Sequence, residues 1–383
     1  MRRLRSFDAM NIVAAHYRTG ETWEFSLAGR RVKSRRRVRA KAEALFGPGF
    51  VDLQCNGFQG VDFNHPDDTS EVCAEAIRAM WETGVTHVMP TLITASKVWF
   101  KENILQLNEA LALDPNVRRS VPGYHLEGPF ISLADGARGA HPLEDIAPIS
   151  TKLWRELQRL AEGRFRLVTL APELRGACAF IAALRKENVL PALGHTLATH
   201  AQVAAACDAG ALMTTHLGNG CPQMVHRHAN PIFAQLGEPR LAASLIADGA
   251  HLPPEVLRAF AAALGARAVL VTDAMSAAAA PPGRYSIGKL VIEVGTDGVV
   301  RQPGAANLAG SALTMDRAVL NFAKLAGVSL ADAWDAASLR PWGLLRKAGV
   351  VRTSQPGSTV LATSELKVLA AMHGSRVLWA CER

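Results

Sequence analysis

The 383-residue chain has no run of eighteen or more apolar residues, so no membrane-spanning helix is expected. It also has no CxxC pair. Its six cysteines (Cys55, Cys73, Cys178, Cys207, Cys221 and Cys381) are scattered. That argues against a disulfide framework or a thiolate zinc site and points to a reducing cytoplasm. The basic N-terminus carries only a short apolar stretch, interrupted by His16 and Arg18, and does not read as a secretory signal. No aromatics interleave the basic run GRRVKSRRRVRAK, residues 29–41, which carries much of the net charge of +8. Without a stacking platform the run reads as a solvated edge strand, with neither nucleic acid nor membrane as partner. The positive balance stays compatible with an anionic small substrate.

What is present is ordinary globular composition, 49% hydrophobic and 20% charged, on a chain long enough for a large core. From residue 47 one unit recurs: an apolar run, a polar or Gly-rich break, then an amphipathic stretch. The runs are FVDLQCNG, VTHVMPTLIT, VPGYHLEG, FRLVTLAPE, VLPALGHT, ALMTTHLGNG, LAASLIADGAH and AVLVTDAMS. Between them DDTSEVCAEAIRAMWETG and THAQVAAACDAG have Ser, Thr or Asp starts and Gly stops, as helix termini prefer. Alternating strand and helix predicts a parallel sheet, and eight apolar strands predict an α/β fold, a closed (β/α)8 TIM-type barrel over residues 47–344. Residues 1–46 and 345–383 lie outside this rhythm and are strand-like. They are expected to pair as one small β-sandwich domain built from both termini. YSIGKLVIEVGTDGVV, residues 285–300, reads as an inserted hairpin turning at TDG.

In such a barrel the reacting groups sit where strands end. Here the strand ends carry Gln54 and Asn56, Thr91, Glu127, Glu173, His195, His216, Asp248 and His251, and Asp273. His195 and His216 lie one strand–helix unit apart, and Glu127 comes from two strands earlier. Two imidazoles and a carboxylate form a catalytic zinc set. Asp273 is placed to act as a base beside it. His125, two residues before Glu127, points to the same strand face but deeper. His87 reads as a hydrogen-bonded core residue.

The segments PGFVDLQCNG, PTLIT, GYHLEGPFIS with RGAH behind it, TLAPE, LGHT, THLGN, HR, IADGAH, VTDA and LAGSALTMDRAV, in this order and spacing, resemble the amidohydrolase superfamily. Within it they resemble the N-acetylglucosamine-6-phosphate deacetylases. The resemblance implies one divalent ion per subunit, Zn2+ or Fe2+, held by Glu127, His195 and His216. It implies Asp273 as base and then acid, and His141 as the group polarising an acetyl carbonyl. It implies that Arg227 and His251 grip a sugar phosphate, with Arg227 reaching across a homodimer interface. Ala140, Asn219, Gly220, Leu308 and Ala309 match positions lining the sugar site. The implied reaction converts N-acetylglucosamine 6-phosphate to glucosamine 6-phosphate and acetate. Another N-acetylhexosamine phosphate such as the galacto epimer, and an N-acyl amino acid, are the alternatives within the superfamily. A non-catalytic sugar-phosphate sensor is the alternative outside it.

The chain departs from the resemblance in three places. Gln54-Cys55-Asn56 stands where many members carry two metal-binding histidines. Gly220 replaces an alanine and Asn230-Pro231 a Pro-Gly, which reads as drift or as a shifted sugar preference. ATSELKVL replaces the usual ADLVVL in the terminal β-domain.

Overall fold

The computed structural model describes residues 9–303, 308 and 310–381. Eight strands form one parallel sheet: β1 (Phe50–Cys55), β2 (Val85–Ile93), β3 (Tyr124–Glu127), β4 (Phe165–Leu170), β5 (Leu190–Leu193), β6 (Met213–Thr214), β7 (Ala242–Leu245) and β8 (Ala268–Leu270). Each pairs in parallel with its neighbour in sequence. They coincide with the eight apolar runs. Nearly every strand residue is buried, as a sheet covered on both faces requires.

The ring closes between β1 and the segment after β8. Cys55 and Ala274 form a parallel bridge, Asp273 N–H donates to Gln54 O (3.0 Å), and Asn56 N–H donates to Ala274 O (2.6 Å). Below this, the buried Asp52 carboxylate accepts from the Thr272 hydroxyl (2.5 Å) and the Thr272 N–H (3.2 Å). Burial pushes that carboxyl up to about 7.

The outer helices start and stop where the sequence says they should. Thr69 caps Ser70–Ala79 by accepting from Val72 N–H. Thr199 and Gln202 make a reciprocal capping box on His200–Ala209, which ends at Gly210 in the left-handed region.

Both termini do build one small β-domain, but its strands close into a barrel rather than stacking as a sandwich. The order around the ring is Met10–His16, Thr22–Ala28, Arg31–Arg37, Arg376–Ala380, Val368–His373, Ser358–Ala362 and Ala44–Pro48. Ile12, Phe25, Leu27, Leu361 and Met372 fill it. The basic strand Arg31–Arg37 is paired along its length with Thr22–Ala28. On its other side, among the described residues, it pairs at Arg31 with Arg376, flanked by the bonds from Val32 N–H to Ser375 O (2.8 Å) and from Val377 N–H to Arg30 O (3.1 Å). It is an edge strand for most of its length, and its side chains are almost all exposed.

The small barrel rests on the N-terminal half of β2. Thr86 Oγ1 lies 2.8 Å from Ser358 Oγ, and His373 Nε2 donates to Thr86 O (3.1 Å). The His87 and His373 rings stack at 4.8 Å in this seam. The insert is a three-stranded meander: Gly283–Ile287 pairs with Leu290–Val294 across a tight turn at Gly288-Lys289, and Leu290–Val294 pairs with Val300–Arg301 across the expected TDG turn. In the TDG turn Gly298 N–H donates to Gly295 O (3.1 Å). Gly288 takes the turn at φ +54, and its N–H donates to the buried Asp62 carboxylate (2.7 Å). Among the described residues no helix is long and apolar enough to cross a membrane.

Candidate active site

Glu127 ends β3. His195 follows β5 by two residues, His216 follows β6 by two, and Asp273 follows β8 by three. The last three share a backbone signature: φ is +51 at His195, +32 at His216 and +49 at Asp273. Non-glycine residues rarely take this left-handed turn, which costs on the order of 1–3 kcal/mol each and persists only where neighbours enforce it. Those neighbours are visible. His216 N–H donates to Ser244 Oγ (2.7 Å) and Leu217 N–H to Ser244 O, both on β7. Ser132 N–H donates to His195 O, and Ser311 N–H to Asp273 O. The strand thus ends abruptly and throws the side chain over the barrel mouth.

There, three atoms converge. His195 Nε2 is 3.2 Å from Glu127 Oε1, His216 Nε2 is 3.0 Å from the same oxygen, and the two Nε2 atoms are 3.1 Å apart. All three residues are buried. Tetrahedral coordination at about 2.0–2.1 Å places neighbouring ligand atoms about 3.3 Å apart, so this triangle fits one divalent ion. His195 Nδ1 donates to Ala137 O (2.9 Å), which leaves the Nε2 lone pair facing the centre. Burial alone would raise the Glu127 carboxyl. The adjacent His195 and His216 side chains outweigh that and hold it well below the usual range, ionised as a ligand must be. His141 also approaches: one of its ring nitrogens lies within 4.8 Å of ligand atoms on Glu127 and His195. His216 makes the tighter set, because its Nε2 touches both other atoms, whereas His141 Nδ1 is engaged by Thr94 Oγ1 (2.8 Å).

Burial, reinforced by the neighbouring His195, drives His141 down to about 3, so the ring is neutral at ordinary pH. The Thr94 hydroxyl can donate to Nδ1, and in that tautomer Nε2 carries the proton and can donate to an oxygen in the cavity. Asp273 is pushed up to about 6 by burial and by the charge of Glu127. A carboxylate poised there suits both taking and returning a proton. His125 lies deeper, as expected, with its ring between Thr169 Oγ1 (2.8 Å) and Thr91 Oγ1 (3.3 Å).

A cavity of ≈ 260 Å³ opens over this cluster. Ala140, Asn219, Gly220, His251 and Leu308 all line it, together with Asp273 and the three convergent residues. His251 Nδ1 is held by Asp248 Oδ2 (2.6 Å). A Cβ on Gly220 would stand 2.9 Å from His195 Nδ1, at φ +58, so glycine here lets the loop lie against the imidazole. Asn230, in the other departure, caps the helix Pro231–Leu236 by accepting from Phe233 N–H (2.9 Å). Arg227 is not among the lining residues; it is exposed on the loop before that helix. Ala309 lies outside the described residues.

Sequence reasoning missed three things here: the Thr94 contact, the left-handed turns, and the bonds from the Gln54 and Asn56 carboxamides to Glu127 and Asp273. The one available signal was that Gln54 and Asn56 stand at a strand end beside the other polar groups.

The amidohydrolase family model matches residues 46–352. The N-acetylgalactosamine-6-phosphate deacetylase of Escherichia coli O157:H7 is 35% identical over 322 residues, 84% of this chain and 83% of that protein. The human N-acetylglucosamine-6-phosphate deacetylase is 33% identical over 351 residues, 88% of this chain and 84% of that one. A solved structure of a mutant N-acetyl-D-glucosamine-6-phosphate deacetylase from Mycobacterium smegmatis, in complex with N-acetyl-D-glucosamine-6-phosphate, superposes with a TM-score of 0.82 at 29% identity. It covers 97% of this chain and 99% of that one. An eight-stranded barrel with His, Glu and Asp gathered at its mouth, and a match across four-fifths of the sequence, have one reading: the chain belongs to the amidohydrolase family.

Proposed function

We propose that this protein is a metal-dependent deacetylase of N-acetylhexosamine 6-phosphates, releasing acetate and the free amino-sugar phosphate. The observation that carries the reading is the convergence of Glu127, His195 and His216 on one point, with Asp273 and a neutral His141 at the same cavity. A single divalent ion, Zn2+ or Fe2+, held by those three residues supplies a Lewis acid that makes hydroxide accessible near neutral pH. Asp273 takes the proton of the attacking water and passes it to the departing amine nitrogen. His141 donates to the amide oxygen as charge develops there; removing such a donor costs on the order of 10²–10³ in rate.

N-acetylglucosamine 6-phosphate is the first substrate to test. The galacto epimer is the second, because a relative at 35% identity bears that name and Gly220 alters the loop against His195. The phosphate needs a cation, and among the described residues the cavity lining holds neither lysine nor arginine. That supports a homodimer in which Arg227 of a second copy reaches the site, its planar fork suited to phosphate. The six cysteines are unpaired, which supports a reducing, cytoplasmic setting.

The deciding experiment measures acetate release from both epimers, phosphorylated and not, with and without a chelator, while bound metal is quantified. Chelator-sensitive release from a phosphorylated hexosamine is expected. Release from neither epimer overturns the reading. Arg227→Ala should lose about tenfold or more on the phosphorylated substrate and little on its unphosphorylated analogue. Equal losses remove Arg227 from phosphate recognition.

A further inference from the structure

Gln54 and Asn56 carry no charge, yet both are buried at the end of β1 among the working groups. Their carboxamide nitrogens are spent on two carboxylates. Gln54 Nε2 donates to Glu127 Oε1 (2.9 Å) and to Asp273 Oδ1 (3.1 Å). Asn56 Nδ2 donates to the same Asp273 Oδ1 (2.7 Å). Asp273 Oδ1 therefore accepts two hydrogen bonds, while Oδ2 accepts none from the described residues. An aspartate free to turn about its terminal bond presents either oxygen, because that torsion is broad and two-fold. Two donors on one oxygen remove the freedom and leave the other oxygen as the one available at a residue that lines the cavity.

The barrel does not need these side-chain bonds to close. Closure between β1 and the segment after β8 is already made by the main chain at Gln54–Asp273 and Asn56–Ala274, and by Asp52 with Thr272. The arrangement also carries a cost. Asn56 Oδ1 is buried with no partner, so turning the nitrogen toward Asp273 leaves an acceptor unsatisfied. A side chain placed only for packing would not need to bear that.

We propose that Gln54 and Asn56 are positioning residues. Together they lock Asp273 so that Oδ2 alone meets the water and the leaving nitrogen, and Gln54 ties this base to the metal-ligating Glu127. The Asp273 half rests on the deacetylase reading above; the Glu127 half rests on the metal site alone.

The test compares wild type with Asn56→Leu and Gln54→Leu, with Asn56→Ala in hand should the leucine variant not fold. Zinc affinity of the metal-stripped protein is read by competition with a chromophoric chelator. kcat and KM are read separately with N-acetylglucosamine 6-phosphate, or with the galacto epimer if that is the better substrate. Asn56 variants should lose about 10–100-fold in kcat, with KM and zinc affinity within about twofold of wild type. Gln54→Leu should show a similar kcat loss and bind zinc about tenfold more weakly. An Asn56 variant with kcat within twofold, or one that loses zinc as strongly as Gln54→Leu, overturns the assignment. If wild type releases no acetate from either epimer, the deacetylase reading has failed on its own. The zinc comparison then still decides the coupling to Glu127, and equal affinity in wild type and Gln54→Leu overturns it.

Discussion

Two groups of buried histidines in this molecule have opposite characters. At the mouth, His195 and His216 bring Nε2 atoms within 3.1 Å of each other and share one oxygen of Glu127. At the seam between the two barrels, His87 and His373 stack face to face at 4.8 Å and 25°, with Trp342 tilted beside His87. Both groups are equally hidden from solvent. The seam pair bonds to a hydroxyl and a main-chain carbonyl of Thr86 and has no acid. Burial pushes His373 down to about 4 and, with His373 beside it, drives His87 well below its ordinary value. The mouth pair has an acid, and burial's downward pull on His216 is outweighed by its bond to Glu127. Burial therefore does not separate the two groups; convergence with a carboxylate beside a cavity does, and only the mouth pair has it.

The contrast breaks most visibly if the mouth histidines are dispensable. His216→Ala should abolish stoichiometric metal binding and cut turnover by at least ~10³-fold, since Lewis-acid stabilisation is worth several kcal/mol. Metal analysis of the purified variant checks this, and full metal occupancy would dissolve the distinction. Next in size, Asp273→Asn should keep its metal and lose about 10²–10⁴-fold in kcat. Near-normal deacetylation would remove Asp273 from proton transfer.

The seam pair gives the smallest effect on catalysis and a measurable one on stability. His373 takes up a proton only near pH 4 when folded and near 6.5 when unfolded. The unfolded chain therefore binds more protons between those values. The contribution of His373 to stability is complete above about pH 6.5 and falls as pH drops toward 4, by up to about 1.4 kcal/mol per pH unit. His373→Leu should flatten that slope in denaturant titrations at pH 7 and 5 and leave kcat within about twofold. An unchanged slope would show that His373 is not the group being charged.

The mouth was legible because its residues recur at the same place in a repeated unit. Eight apolar runs located the strands, and the polar residue after each located the site. The seam was legible only as one core histidine. His87 and His373 are 286 residues apart, in elements with no shared rhythm. Sequence distance also hid the closed small barrel: Arg31 and Arg376 pair on adjacent strands at its seam, and nothing local announces it. The insert's second turn was legible in TDG and its first, at Gly288-Lys289, was not; the pairings of Ile287 with Leu290 and of Val294 with Val300 show both. Backbone turns at His195, His216 and Asp273 leave only a faint trace in side-chain type, since histidine and aspartate are enriched in the left-handed region but rarely occupy it.

The small barrel's seam is fastened at one end only among the described residues, by the Arg31–Arg376 pair and the two main-chain bonds beside it, and this has a practical consequence. A ring pinned so lightly is a strip that can peel, and amide protons along Arg35–Arg37 should exchange with solvent well before those of the strands around Leu361. What peels open is studded with guanidinium and ammonium groups. A second molecule offering the same strip would be repelled, so this seam can breathe without becoming a nucleus for aggregation.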